Sequence, residues 1–534
     1  MRTRNRRKPT AGEILIIIII AMIVVISCII FIIRASEQDE LSMRESLSDA
    51  AAEPEQRNES GSEDEYSLYN EPDHDIASVP VTEQGTTQRF PADRISIIDI
   101  AETYPDLKIK LDEESNSHKP AGVSLVIYDG FAGEFYAYQY GYADIAAGRP
   151  IDIDTKIRVA SLSKLVVVIC AMKLVDADRL DLDEDISTYL GYKVRSPHYP
   201  DIPITTRMLM QHTSSIHDSS EFHDSIMGGA QVSTQNLLNR SSSFMTARPG
   251  STHIYTNFGY TVLGAVIEFV SGMKLDAFAR EVLFDPLDID AAFQAVNLNS
   301  TENLVNLYDA GHRIVRSVDA QIASNRTGDI GQDQHLAQGN LLISAFDFAK
   351  ILAMLGNGGV YLGERILSSD AVTQIHHADI TGPMFMQGLS SRFTDGGEIG
   401  VEIVTDSVRT VENGENADNI DNTDGADSEQ VLVVENSRII EDIEIWRYVT
   451  VNGSRVPSDG FFWHTGSAHG VFAQYIYIAG SGTNEGIGGF DTSRGVVVLT
   501  TGASTGRAPN GMIDICNHLS EIAWRGLHFD QKQG

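Results

Sequence analysis

Apolar positions along this chain fall into three regimes. Residues 14–33 read ILIIIIIAMIVVISCIIFII without a polar interruption longer than one residue, and such a run at ~1.5 Å per residue spans the ~30 Å hydrocarbon core of a bilayer as one helix. It predicts a single, uncleaved transmembrane pass, because it exceeds the apolar length of a signal peptide and no small-residue cleavage site follows. Val25-Ile26-Ser27-Cys28 loosely matches a lipoprotein box, but the apolar run continues past the cysteine instead of turning polar. Residues 36–90 have few large apolar side chains to bury and predict a solvated tether with a typical reach of about 40 Å. From Ala121 the pattern is that of a folded body. AGVSLVIYDG (121–130) and EFYAYQYGYADI (134–145) are β-rich runs joined by a short Gly-containing turn, a predicted hairpin. A helix-rich middle follows, with LSKLVVVICAMKLV (162–175) apolar nearly all round, hence buried, and YTVLGAVIEFV (260–270). Strand patterns return over 471–480 and 495–502, and the last predicted helix covers 512–524. Strands at both ends with helices between them predict an α/β mixture of the α+β kind. One sheet is built from the two chain ends, and a helical region is inserted between them.

Charge refines this picture. Lys and Arg number 40 against 74 Asp and Glu, a formal net charge of −34, and that field repels a phosphate backbone, so nucleic acid is excluded as a partner. Arg2, Arg4, Arg6, Arg7 and Lys8 precede the apolar run, so residues 1–13 are expected in the cytoplasm and everything after Arg34 outside. Within the tether, bounded at 34–90, residues 36–90 carry 15 acidic residues against Arg44, Arg57 and Arg89. The folded domain is expected over 91–526, with an acidic insertion at about 390–460 and a tail over 527–534. Within the insertion, residues 412–429 hold seven acids and no base, but neither the register nor the closing Glu of a calcium loop, which reads as a solvated excursion. The chain has three cysteines, too few for a disulfide framework. Cys170 and Cys516 lie in apolar helical patterns and are expected as buried thiols. His217, Asp218, Glu221, His223 and Asp224 crowd one stretch without metal-ligand spacing and read as a polar loop near the cleft.

Three serine motifs compete for nucleophilic chemistry. Gly502-Ala-Ser504-Thr-Gly506 fits G-x-S-x-G after a strand, but Pro509 and Gly511 interrupt where an elbow needs a helix, and too little chain remains for an acid and a His. Ser271-Gly-Met-Lys274 fits S-x-x-K but sits at a helix end beside Gly272, where the lysine caps or is solvated. Ser161-Leu-Ser163-Lys164 begins a buried helix. Three residues apart on a helix means one face, so hydroxyl and amine can touch, with the hydroxyl at the positive end of the helix dipole. Burial lowers the lysine pKa toward that of a usable base. Tyr255-Thr-Asn257, the one Y-x-N of the chain, precedes a helix and can point both side chains into one cleft. His464-Thr465-Gly466 is expected to open the strand over 471–478. Its Gly permits close backbone approach, and its Thr and His offer donors for an anion. Arg326-Thr-Gly328 and Ser504-Thr-Gly506 lack that context.

The order S-x-x-K, Y-x-N, H-T-G resembles the serine β-lactamase and penicillin-binding protein superfamily, in the branch of class C β-lactamases, D-alanyl-D-alanine carboxypeptidases and related esterases. TRMLMQHTS (206–214), YTNFGY (255–260) and GNGGVYLG (356–363) also resemble family segments, and the likeness covers roughly 120–525. It implies a β-lactamase/transpeptidase-like fold and a membrane-anchored hydrolase that forms an acyl-enzyme on Ser161. Lys164 and Tyr255 would share the proton work, with the base unassigned between them. Asn257 would bond the substrate or the lysine, His464 and Thr465 would hold a substrate carboxylate, and the N–H groups of Ser161 and Ser467, beside Gly466, would stabilise the oxyanion. No metal or cofactor is implied. The expected partner is a small peptide, a β-lactam or an ester, and the body is expected as a monomer. Ser215 departs from the family's usual Gly, His464 replaces the lysine of most β-lactamases as in carboxypeptidases and D-amino-acid peptidases, and the acidic insertion is atypical. A tethered receptor that binds peptidoglycan peptides without turnover is the alternative of a different class, and an esterase the alternative chemistry.

Overall fold

The computed structural model describes residues 95–376 and 448–529, apart from 131–132, 227–231, 325–327, 333–335, 452–453, 458–460, 479–492, 508–511 and 528. The basic tail, the apolar run, the tether and the insertion up to 447 lie outside the described residues. No helix among the described residues is long and apolar enough to cross a membrane.

The predicted hairpin forms as β2 (Gly122–Asp129) and β3 (Glu134–Asp144), after a short β1 (Ser96–Asp99). From the far end of the chain come β4 (Phe461–Ala468), β5 (Val471–Ile478) and β6 (Arg494–Thr501). They form one sheet in the order β1-β3-β2-β6-β5-β4, with Arg149–Pro150 added on β3. Pairings are antiparallel except β1 with β3, which is parallel. Successive residues of a strand face opposite sides, so a strand covered on both faces is apolar throughout. β2 obeys this. Val123, Leu125 and Ile127 pack with Leu107 and Leu111 of α1 (Pro105–His118) and with Leu519 and Trp524 of α5 (Asp514–Gly526). Val126 and Tyr128 face the other core, which holds α2 (Ser163–Asp176), α3 (Asn257–Ser271) and α4 (Ala345–Gly356). β6 alternates likewise, with Val496 and Val498 on one face and Val497 and Leu499 on the other. The sheet from both chain ends, with helices inserted between its halves, is as expected from the sequence.

Two local outcomes bear on the site. The H-T-G motif does not open the strand over 471–478. It lies inside β4, the sheet's edge strand, joined to β5 by the two-residue turn His469-Gly470, whose φ angles of 51° and 77° are those a type I′ hairpin requires. Ser215 has φ 63°, a left-handed conformation that suits the glycine it replaces, and its buried hydroxyl has no hydrogen-bond partner. Ser215→Gly is therefore expected to stabilise the fold by about 1 kcal/mol, read as a higher urea midpoint at unchanged slope; an equal or lower midpoint would contradict the strain. Cys170 and Cys516 are buried free thiols, as expected, and burial pushes both pKa values up.

Candidate active site

Ser161 sits in the 3₁₀ turn Ala160–Leu162 that runs directly into α2. Ala160, immediately before it, has φ 48°, a conformation costly for a residue with a Cβ. The turn is held from within by Ser163 Oγ, which donates to Ala160 O at 2.6 Å and accepts from Leu341 N at 3.0 Å. Twelve consecutive residues of α2, Ser163 to Leu174, are buried, and Lys164 is 0% exposed. Its Nζ reaches Ser161 Oγ at 3.2 Å, Asn257 Oδ1 at 3.0 Å and Gln338 O at 2.7 Å. Burial lowers its pKa to about 7, opposed by the Asp218 carboxylate. Losing one proton leaves two N–H bonds for Asn257 Oδ1 and Gln338 O, which have no hydrogen to give. The lone pair then turns to Ser161 Oγ.

Tyr255 approaches from the other side, its hydroxyl donating to Ser161 Oγ at 3.0 Å and its ring 4.9 Å from Lys164 Nζ. Burial pushes the phenol pKa above its ordinary range, so it remains a proton donor at neutral pH. Asn257 is the first residue of α3. The N-cap Thr256 accepts from Gly259 N at 3.3 Å and donates to Asp218 Oδ1 at 2.7 Å. Asp218 also accepts from Asn257 N and Nδ2, both at 3.0 Å, and from Phe258 N at 2.7 Å. A carboxylate at a helix N-terminus satisfies N–H groups the helix cannot, and here it also fixes the amide of Asn257 with its oxygen toward the lysine. His212 completes the wall, its ring 4.4 Å from that of Tyr255 and its Nδ1 accepting from Thr256 N at 3.2 Å.

The third motif closes the site from β4. Ala468 and Val471 flank the two-residue turn, so the alternation of an antiparallel ladder leaves the N–H of Ser467 on the strand's free edge. Gly466 lies against the serine turn. A Cβ there would meet Val159 O at 2.4 Å and Ser161 N at 3.2 Å, so no residue larger than glycine allows this approach. Thr465 Oγ1 accepts from Arg507 Nη1 at 3.0 Å. His464 departs from the expectation that it helps to hold a carboxylate. Its Nδ1 faces Thr465 O at 2.7 Å and so carries the proton, and Nε2, buried without a partner, is a lone pair. Burial, then the charge of Lys164, lowers its pKa to about 3. A neutral acceptor does not attract an anion, whereas the guanidinium of Arg507 does.

Ser161, Lys164, Tyr255 and Asn257 thus converge, with Thr465, Gly466 and Ser467 beside them. Four participants were not singled out for these roles from the sequence: Asp218, His212, Arg507 and the Gln338 carbonyl. Asp218 stood in the polar stretch set near the cleft, and Arg507 follows directly on the G-x-S-x-G segment set aside as a nucleophile. Ser271 and Lys274 lie elsewhere, where Lys274 pairs with Glu268 at 3.5 Å.

Residues 107–512 match the family model described as Beta-lactamase. The chain is 24% identical over 310 residues to the N-acetylmuramyl-L-alanine amidase of Bacillus subtilis (strain 168), covering 50% of this chain and 66% of that protein. It is 27% identical over 176 residues to the D-alanyl-D-alanine-carboxypeptidase/endopeptidase AmpH of Escherichia coli (strain K12), covering 31% of this chain and 43% of that protein. The chain therefore spans about half the length of these relatives. Its fold is shared with the octameric penicillin-binding protein homologue from Pyrococcus abyssi, at a TM-score of 0.50 and 19% identity over 79% of this chain and 78% of that one. With the family model matching three quarters of its length, the chain belongs to the Beta-lactamase family.

Proposed function

We propose that the protein is a serine hydrolase, anchored in the membrane by residues 14–33 with its body outside the cell, that cleaves amides bearing a free carboxylate through an acyl-enzyme on Ser161. The observation that carries this reading is the meeting of Lys164 Nζ and Tyr255 Oη on Ser161 Oγ, at 3.2 and 3.0 Å. Lys164 in its neutral form takes the serine proton as Oγ attacks the carbonyl carbon. The tetrahedral oxyanion is held by the N–H groups of Ser161 and Ser467. The C–N bond then breaks as Tyr255 passes its proton to the leaving amine and recovers one from Lys164. Water attacks the ester so formed, Lys164 again accepting the proton, and frees Ser161. The lowered pKa of Lys164 against the raised pKa of Tyr255 favours the lysine as base and the phenol as acid.

Arg507 and Thr465 are the carboxylate grip of this reading. The relatives' names point the same way, an amidase and a D-alanyl-D-alanine-carboxypeptidase, and placement outside the cell near the wall fits a D-alanyl peptide. The test is to assay the purified protein against a D-Ala-D-Ala peptide, nitrocefin and a p-nitrophenyl ester. Turnover of the peptide above the ester supports the reading. Acylation without release would support a receptor instead, and ester turnover alone an esterase. Arg507→Ala should lower kcat/KM for the peptide roughly 10- to 100-fold, the worth of one charge-assisted hydrogen bond, and leave the ester within about twofold. Equal loss on both would remove Arg507 from carboxylate recognition.

A further inference from the structure

Outside the catalytic cleft, on the opposite face of the sheet, three side chains from the two ends of the folded body meet. Glu114 and His118 lie one turn apart at the end of α1, and His518 lies in the first half of α5. Glu114 Oε1 is 3.0 Å from His118 Nε2 and 2.9 Å from His518 Nδ1. The three ligand atoms they offer all lie within 4.8 Å of one another.

The tautomer of His118 makes this more than a surface ion pair. Its Nδ1 is 3.0 Å from the carbonyl oxygen of Ser504, an acceptor with no hydrogen to give, so Nδ1 carries the proton. In the neutral ring Nε2 is then a lone pair aimed at a carboxylate oxygen. Two acceptors at 3.0 Å repel unless a positive centre lies with them, either a second proton on the ring or a metal ion. Two imidazoles and a carboxylate are the donor set that zinc and its neighbours prefer, and an imidazole whose far nitrogen bonds a backbone carbonyl is the usual orientation of a metal-bound histidine. Ligand atoms around zinc at ~2.0–2.2 Å sit about 3.3 Å apart in a tetrahedral shell, so small side-chain rotations complete the site.

We propose that Glu114, His118 and His518 bind one divalent transition-metal ion, which ties α1 to α5 and to the chain at Ser504. The site is structural and leaves the chemistry at Ser161 unchanged. Ser504 is already strapped to α1, its N–H donating to His118 O at 2.8 Å. The ion fastens that strap from the side-chain direction and closes the N-terminal helix of the body onto the C-terminal one.

The experiment takes the full-length chain, untagged and in detergent, strips it with EDTA and titrates it calorimetrically with zinc chloride. Thermal unfolding is followed with and without zinc. The wild type should bind one equivalent more than His518→Ala or Glu114→Gln, and its Tm should rise by a few °C at a hundredfold excess of zinc over Kd while theirs stays put. His198→Ala, an exposed histidine elsewhere, should behave as wild type. His518 is about half exposed, so its loss should leave the fold intact, and the zinc-free Tm checks that. Equal stoichiometry in wild type and both variants, or no effect of zinc on the wild-type Tm, would overturn the site and leave a proton as the bridging charge.

Discussion

Lys164→Met is expected to slow acylation of Ser161 about 10³-fold, the middle of the range for loss of a positioned general base. Methionine fills the buried space without restoring a basic nitrogen, so the hydroxyl keeps its bond from Tyr255 and loses its proton acceptor. The pH dependence follows from the lysine's environment. Burial lowers its pKa to about 7. Below that value the amine is an ammonium with no lone pair, and above it the base is free. Acylation by the wild type should therefore rise with pH through about 7 and level off above it. The Asp218 carboxylate opposes the lowering, so Asp218→Asn should move this rise to lower pH. Stopped-flow acylation by nitrocefin over a pH series reads both effects. A Lys164→Met variant that keeps more than a tenth of the wild-type rate would assign the base to another group, with Tyr255 the nearest.

Gly466→Ala is expected to cost about 10² in the same rate. The added Cβ would lie 2.4 Å from Val159 O and 3.1 Å from Leu162 Cδ1. Val159 O is backbone of the segment that presents Ser161, so β4 must retreat instead of a flexible side chain yielding. Ser467 is the next residue, and its N–H moves with the strand. Displacement of an oxyanion donor by a fraction of an ångström to 1 Å is worth losses of this size. Under the proposed carboxylate grip of Thr465 and Arg507, binding of a carboxylate substrate should weaken as well. An alanine variant that acylates at the wild-type rate would show that β4 supplies no part of the oxyanion site.

What could be read from the sequence follows the range over which each signal acts. The hairpin at 122–144 and the buried helix from Ser163 are written in local periodicity, which is fixed by backbone geometry alone. Ser161 and Lys164 were legible because their contact is made within one helical turn, and Tyr255 and Asn257 because they lie two residues apart at a helix start. Contacts made across the fold left weaker traces. Asp218 reads as one of five polar residues in a crowded stretch until α3 is placed over it. The Gln338 carbonyl is a backbone group that no side-chain pattern marks. Arg507 lies on a loop whose course is set by Gly502, with φ 73°, and by the bridge of Arg507 to Ile513. His464-Thr465-Gly466 lies one strand earlier than the sequence suggests, because two aromatic-rich runs separated by His469-Gly470 resemble a single entry into 471–478. Which nitrogen of His464 carries the proton is not written locally either, since it follows from the contact with Thr465 O and from burial in the assembled sheet.

The nucleophile itself is open to a single assay. The full chain is incubated with a fluorophosphonate or a labelled penicillin, digested, and the adduct mapped by peptide mass. One adduct on Ser161, absent from Ser161→Ala together with all turnover, is the expected result. An adduct on Ser271, Ser504 or another residue, or hydrolysis that survives intact in Ser161→Ala, would contradict it.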